Sequence, residues 1–151
     1  MRILDLGERP DLIPLLAALH FPQWQAAHPG WTGADWEKEF SRHLGAFPCT
    51  LLALNEQDEL LGSASLVADD MNGTVAHSPW LANVLVVPIA RGSGVGGKLI
   101  IAIEEKATAL GHPELYLFTE DQQALYQRRG WKTFHSMCFE GKTVSLMRKT
   151  L

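Results

Sequence analysis

Val84-Leu85-Val86-Val87-Pro88-Ile89-Ala90-Arg91-Gly92-Ser93-Gly94-Val95-Gly96-Gly97 is the stretch whose reading decides the fold. With Trp80 to Asn83 before it, its first half is apolar and rich in β-branched residues, which predicts a buried strand over Trp80 to Val87 ending at Pro88. The second half sets glycines at 92, 94, 96 and 97 beside one arginine. Missing side chains let backbone N–H groups at a helix N-terminus converge on an anion, and the helix dipole favours the charge they meet. Arg91 adds a charged donor there. In a plain connector so many glycines would only add unfolded-state entropy and weaken the helix start. Gly92, Gly94 and Gly97 also spell G-x-G-x-x-G, but the dinucleotide motif needs an acid ending a strand about 20 residues on, and Glu114 opens one. Gly92 to Lys98 nearly spells a P-loop, yet Leu99 stands where magnesium needs a hydroxyl.

Downstream, Leu99, Ile103, Ala107 and Leu110 recur at helical spacing, with Gly111 as a left-handed stop and Pro113 just beyond. Leu115 to Thr119 reads as a buried strand and Gln122 to Arg129 as a short helix closed by Gly130. Trp131 to Phe139 and Thr143 to Met147 form a strand pair turning at Glu140-Gly141-Lys142. Upstream, Met1 to Leu6 is a first strand, and Asp11 is placed to cap a helix over Leu12 to Leu19, with Pro14 in its first turn. Asp35 to Leu44 carries Trp36, Phe40 and Leu44 on one helical face. Thr50 to Leu54 and Leu60 to Val67 predict a hairpin around Asn55 to Asp58, and Asp69 to Pro79 reads as a loop. Strands outnumber helices in mixed order, so the sheet should be mixed and partly antiparallel.

A chain of 151 residues can bury one good core, so a single domain over residues 1–151 is expected. No apolar run approaches the roughly 20 residues of a bilayer span, and the N-terminus lacks the apolar core of a secretion signal. No membrane association and a cytoplasmic location are therefore expected. Cys49 and Cys138 are too few and too far apart for a disulfide framework and are expected as reduced, buried thiols. A net charge of -4 offers no footprint for nucleic acid and slightly favours a cationic substrate. The histidines lack the spacing of a metal site, so no metal is expected.

The segment Val84 to Gly96 resembles the signature of the GCN5-related N-acetyltransferases, a hydrophobic strand followed by V-x-P-x-x-R/Q-G-x-G-x-G/A. Leu125-Tyr126-Gln127-Arg128-Arg129-Gly130-Trp131 resembles the L-Y-x-x-x-G-F element of the same family, and the likeness spans about Thr50 to Leu151. The resemblance implies an α/β (α+β) fold: a mixed, mostly antiparallel sheet of six or seven strands with about four helices, splayed between the fourth and fifth strands. It implies acetyl-coenzyme A as co-substrate. Val84, Leu85 and Val86 would pair with its pantetheine arm, and Arg91, Gly92, Ser93, Gly94, Val95, Gly96 and Gly97 would surround its pyrophosphate. An amine would attack the thioester directly in a ternary complex, its carbonyl held by backbone N–H groups near Leu85 and Val86, while Tyr126 protonates the departing thiolate.

Several members place a glutamate on the fifth strand as proton acceptor, and Phe118 occupies that position here. Glu120 and Asp121 follow as candidate catalytic carboxylates, although Asp121 also sits where the next helix needs an N-cap, and His77 is a further candidate. An asparagine common after that strand is replaced within Thr119-Glu120-Asp121-Gln122-Gln123. Trp24, Trp31 and Trp36, interspersed with His20, His28 and His43, are either packing between two helices or an aromatic wall for a cationic acceptor. A small-molecule amine is the expected acceptor. A peptide N-terminus or lysine, and a coenzyme A-binding module without catalysis, are the alternatives; the resemblance leaves room for a homodimer.

Overall fold

The computed structural model describes residues 1–26 and 28–151, and its second strand shows how one apolar run serves two cores. Every residue of β2 (Cys49–Leu54) is buried. Because side chains alternate across a strand, Cys49, Leu51 and Ala53 join the core under a long helix, while Leu52 and Leu54 join the core under two N-terminal helices. The same division runs through β3 (Leu60–Val67), where Ala64 and Leu66 face the long helix and Leu60 the other side.

Around them lie β1 (Arg2–Asp5), β4 (Trp80–Val86), β5 (Glu114–Thr119), β6 (Lys132–Phe139) and β7 (Lys142–Thr150). The seven strands among the described residues run in the order β1-β2-β3-β4-β5-β7-β6. All neighbours are antiparallel except β4 and β5. Among the described residues four α-helices complete the fold: α1 (Ile13–Gln23), α2 (Gly33–Phe40), α3 (Val95–Ala109) and α4 (Gln123–Gln127). The expected mixed, mostly antiparallel sheet with four helices is the architecture observed.

The parallel pair barely touches. Trp80 opposite Tyr116 is its one facing pair among the described residues, with the Tyr116 amide donating to the Pro79 carbonyl at 3.0 Å. Beyond it the strands diverge, and Pro88 turns β4 into a short 3-10 segment over Pro88–Ala90. α3 lies beneath, burying Val95, Leu99, Ile103 and Ala107. It stops as expected: Gly111 has φ +87°, its amide donates to Thr108, and the His112 amide reaches the Ala107 carbonyl at 3.0 Å.

The structure corrects the sequence reading at three places. Asp11 does not cap α1. Pro10 opens a 3-10 turn over Pro10–Leu12, and Asp11 inside it pairs with Arg9 at 2.8 Å, so the N-cap position falls on Leu12. α2 starts two residues before Asp35 and stops at Phe40. Thr32 Oγ1 accepts from the Asp35 amide at 3.2 Å while Asp35 Oδ2 accepts from the Thr32 amide at 2.8 Å, a reciprocal cap that fixes the start. Leu44 consequently lies outside the helix and is exposed. Cys49 is buried as expected, but Cys138 is exposed because β6 forms the outer edge of the sheet.

Candidate active site

The splay leaves one edge of β4 without a strand partner. A β-carbon on Gly62 would lie 2.5 Å from the Leu85 carbonyl oxygen, so Leu85 turns its backbone groups toward β3, where it faces Ser63. Successive strand residues alternate direction, and the N–H groups of Val84 and Val86 therefore face the gap. A bulge opposite Ala64, with Asn83 at φ +55°, sets this phase. Of the two N–H groups expected near the thioester carbonyl, Val86 is thus turned to the gap and Leu85 is not.

At the end of β4, Arg91 Nε donates to the Val86 carbonyl at 3.2 Å. Gly92 and Gly94 sit at φ +80° and +87°, which side chains resist, although a β-carbon at either would meet open space. The Ser93 amide turns back to Ala90, and Lys98 makes the first backbone bond of α3, to Gly94. Among the described residues nothing accepts from the amides of Gly92, Gly94, Val95, Gly96 and Gly97. Such a cradle fits a pyrophosphate. Gly97 has a second use, since a β-carbon there would lie 2.2 Å from the Arg129 guanidinium. Arg129 thereby rests on the helix start as a second cation. Arg129 lies 32 residues beyond Gly97, so only folding joins them and no local motif signals the contact.

On the α1 and α2 side, the gap opens into a cleft of about 430 Å³ bounded by the end of α1, the β3–β4 loop, the β5–α4 turn and the β6–β7 turn. Val84, Tyr126, Glu120 and Asp121 all line it. Tyr126 is 9% exposed, its ring edge-on to Trp131 at 5.9 Å, and no described residue bonds its hydroxyl. Burial pushes this phenol up to about 12, partly offset by Arg129, so it is protonated at neutral pH. Glu120 is exposed and pairs with Lys142 at 3.4 Å. Asp121 is exposed and does not cap α4; the N-cap position falls on Gln122, without a side-chain cap, and the Gln122 amide donates to Thr119 Oγ1 at 3.0 Å, closing the turn before the helix. Phe118 packs edge-on to Phe139 in the cleft wall. His77 lies outside it, stacked on Tyr116 at 4.6 Å, with its carbonyl accepting from Trp80.

The tryptophans differ in where they pack. Trp36 is buried between α1 and α2 beside His20 and Phe40, whereas Trp24, stacked on His20 at 4.7 Å, lines the cleft. His43 begins a buried polar chain that ends at the bulge. Its Nε2 meets Glu39 at 3.2 Å and its Nδ1 meets Thr50 Oγ1 at 2.8 Å; Thr50 meets Ser65 at 2.7 Å, and Asn83 Nδ2 donates to Ser65 at 3.4 Å. A neutral imidazole with its proton on Nε2 lets every link donate in one direction, from Asn83 to Glu39. Asp70 also lines the cleft and escaped the sequence reading, where it was one polar residue in a loop. No three His, Cys, Asp or Glu side chains converge as metal ligands among the described residues.

The profile of the acetyltransferase (GNAT) family matches residues 13–131. The chain belongs to this family. It is an acyl-coenzyme A-dependent N-acetyltransferase whose co-substrate is acetyl-coenzyme A. A solved aminoglycoside 6'-N-acetyltransferase in complex with coenzyme A superposes on this acetyltransferase with a TM-score of 0.79 at 17% identity, covering 99% of this chain and 97% of that one. A ribosomal-protein-alanine N-acetyltransferase from Brucella melitensis gives 0.79 at 20% identity over the full length of both chains. The aminoglycoside 6'-N-acetyltransferase from Enterococcus faecium gives 0.74 at 18%, covering 99% and 97%. At such identities the likeness speaks for the fold. No curated protein matches the sequence.

Proposed function

We propose that this acetyltransferase moves the acetyl group of acetyl-coenzyme A to a primary amine of a small cationic molecule, by direct attack within a ternary complex. The observation that carries the reading is the acidic cleft adjoining the open edge of β4. Asp70, Glu120, Asp121 and Glu140 line it against one cation, Lys142, which is already paired with Glu120. Such walls attract an ammonium group, and Trp24 adds an aromatic face. A volume of about 430 Å³ suits a small molecule, and loops on several sides leave less room for an extended peptide.

In this proposal the amides of Gly92 and of Gly94 to Gly97 hold the pyrophosphate, with Arg91, Ser93 and Arg129 around it. Val84 and Val86 pair with the pantetheine arm, and their N–H groups meet the carbonyl oxygen as it gains charge. Leu85 supports the edge by packing. Tyr126 gives its proton to the leaving thiolate, while Glu120 and Asp121 hold the incoming ammonium at the mouth of the cleft. A peptide N-terminus is the second reading, favoured by the equally similar alanine N-acetyltransferase fold.

Thiol release from acetyl-coenzyme A, measured with spermidine, kanamycin and an alanine-initiated hexapeptide, separates the two. The polycations should be acetylated with at least tenfold higher kcat/KM; faster turnover of the peptide would sink the small-molecule assignment.

A further inference from the structure

Asp70 is half-buried in the cleft wall, and its carboxylate has no hydrogen-bond or ion-pair partner among the described residues. Its neighbour explains why it is held there. Asp69 Oδ1 accepts from the Met71 amide at 2.9 Å and Oδ2 from the Gly73 amide at 2.6 Å, while Met71 is fully buried beside Trp80. The loop is thus pinned on both sides of Asp70. An ionised carboxylate lacking a partner and partly withdrawn from water is unfavourable until it gains a cation or a proton.

The other groups facing the cleft do not relieve it. The β5–α4 turn offers Glu120 and Asp121, and α4 offers Tyr126, held protonated. The β6–β7 turn offers Glu140 together with Lys142, which is spent on Glu120. The segment after α1 offers His28, which burial holds below the usual histidine range and which is therefore neutral. From α2, Glu39 acts on Asp70 as a like charge, as does Asp69 in its own loop.

We propose that Asp70 is the proton acceptor for the substrate ammonium, a role resting on the acetyl-transfer reading above. The Asp70 carboxylate takes one proton from R–NH3+, leaving R–NH2 with a free electron pair. That pair forms the C–N bond as the C–S bond breaks, and the thiolate takes the Tyr126 proton. The nitrogen then loses its second proton to the Tyr126 phenolate, and Asp70 releases the first to solvent, so the products are amide, thiol and one proton. Burial, with Asp69 and Glu39 adding to it, raises Asp70 to about 8, a proton affinity suited to an acceptor working near neutrality.

The test compares wild type, Asp70→Asn and Asp70→Glu, using the best acceptor among spermidine, kanamycin and the hexapeptide, with thermal melts as the control for folding. Asp70→Asn should melt no lower than wild type and keep its KM for acetyl-coenzyme A. It should lose about 100-fold in kcat with the amine, and the rising limb of its pH–rate profile should disappear. Asp70→Glu should recover part of both. Wild-type kcat and pH profile in Asp70→Asn would overturn the assignment. So would a loss confined to the KM of the amine, since that would make Asp70 a binding carboxylate only. Failure of the wild type itself to acetylate any of the three would defeat the acetyl-transfer reading and Asp70 with it, a result distinguishable from an active wild type with an unaffected variant.

Discussion

The Arg91 side chain reaches back across the glycine loop and donates to the Val86 carbonyl at 3.2 Å, joining that loop to the last residue of β4. One residue thereby ties together the loop proposed to hold the pyrophosphate and the strand edge proposed to carry the pantetheine arm.

Removing that tie should loosen cofactor binding more than chemistry. Arg91→Ala is expected to raise the KM for acetyl-coenzyme A about tenfold, the loss of roughly one charge-assisted hydrogen bond, with a smaller fall in kcat. Gly94→Ala should do the same and also lower stability by about 1 kcal/mol, because φ +87° strains any β-carbon even where the space is open. Steady-state kinetics with varied acetyl-coenzyme A and urea titrations check both; an unchanged KM in Arg91→Ala would detach the arginine from the cradle.

Tyr126→Phe should lower kcat by about 10- to 100-fold and leave the KM for acetyl-coenzyme A nearly unchanged. Its stability should not fall, because Tyr126 is held by packing against Trp131 and its hydroxyl bonds to no described residue. A variant as active as wild type would remove the phenol from proton transfer.

The β5–α4 turn offers a direct comparison of two neighbours. Thr119→Ala deletes the acceptor of the Gln122 amide and should cost about 1 kcal/mol, whereas Asp121→Ala should change stability by less than about 0.5 kcal/mol. Chemical denaturation measures both, and the reverse order would restore Asp121 as the cap.

His20 gives the fold an acid limit. It is fully buried, and burial lowers its imidazole from 6.5 to about 4 against the opposing hydrogen bonds to the Leu16 and Asn83 carbonyls. Between those values the unfolded chain binds a proton that the folded protein refuses, so stability is full above about pH 6.5 and falls as pH drops toward 4. The loss should be on the order of 3 kcal/mol by pH 4. Urea midpoints across this window should fall in the wild type and be flatter in His20→Gln; parallel curves would show that His20 is not the source.

Local chemistry was legible in the amino-acid order. The strand ending at Pro88, the glycines baring amides at the start of α3, the left-handed stop at Gly111 and the Tyr126 element all depend on residues within a few positions of one another, where backbone sterics and hydrogen bonding dominate. Asp11 and Asp121 are not the caps their positions suggest, because the local turns shift the helix starts: the turn begun at Pro10 moves the first to Leu12, and the turn closed by the Thr119 hydroxyl moves the second to Gln122.

Other features belong to the tertiary structure alone. Arg129 against Gly97, the chain from Glu39 through His43, Thr50 and Ser65 to Asn83, the phase of β4 that turns Val84 and Val86 toward the gap, and Asp70 set in an acidic wall all join distant segments. Periodicity fixes which side of a strand or helix is apolar, but what a polar side chain meets depends on the packing of elements remote in sequence, and proton affinity follows from that burial and company.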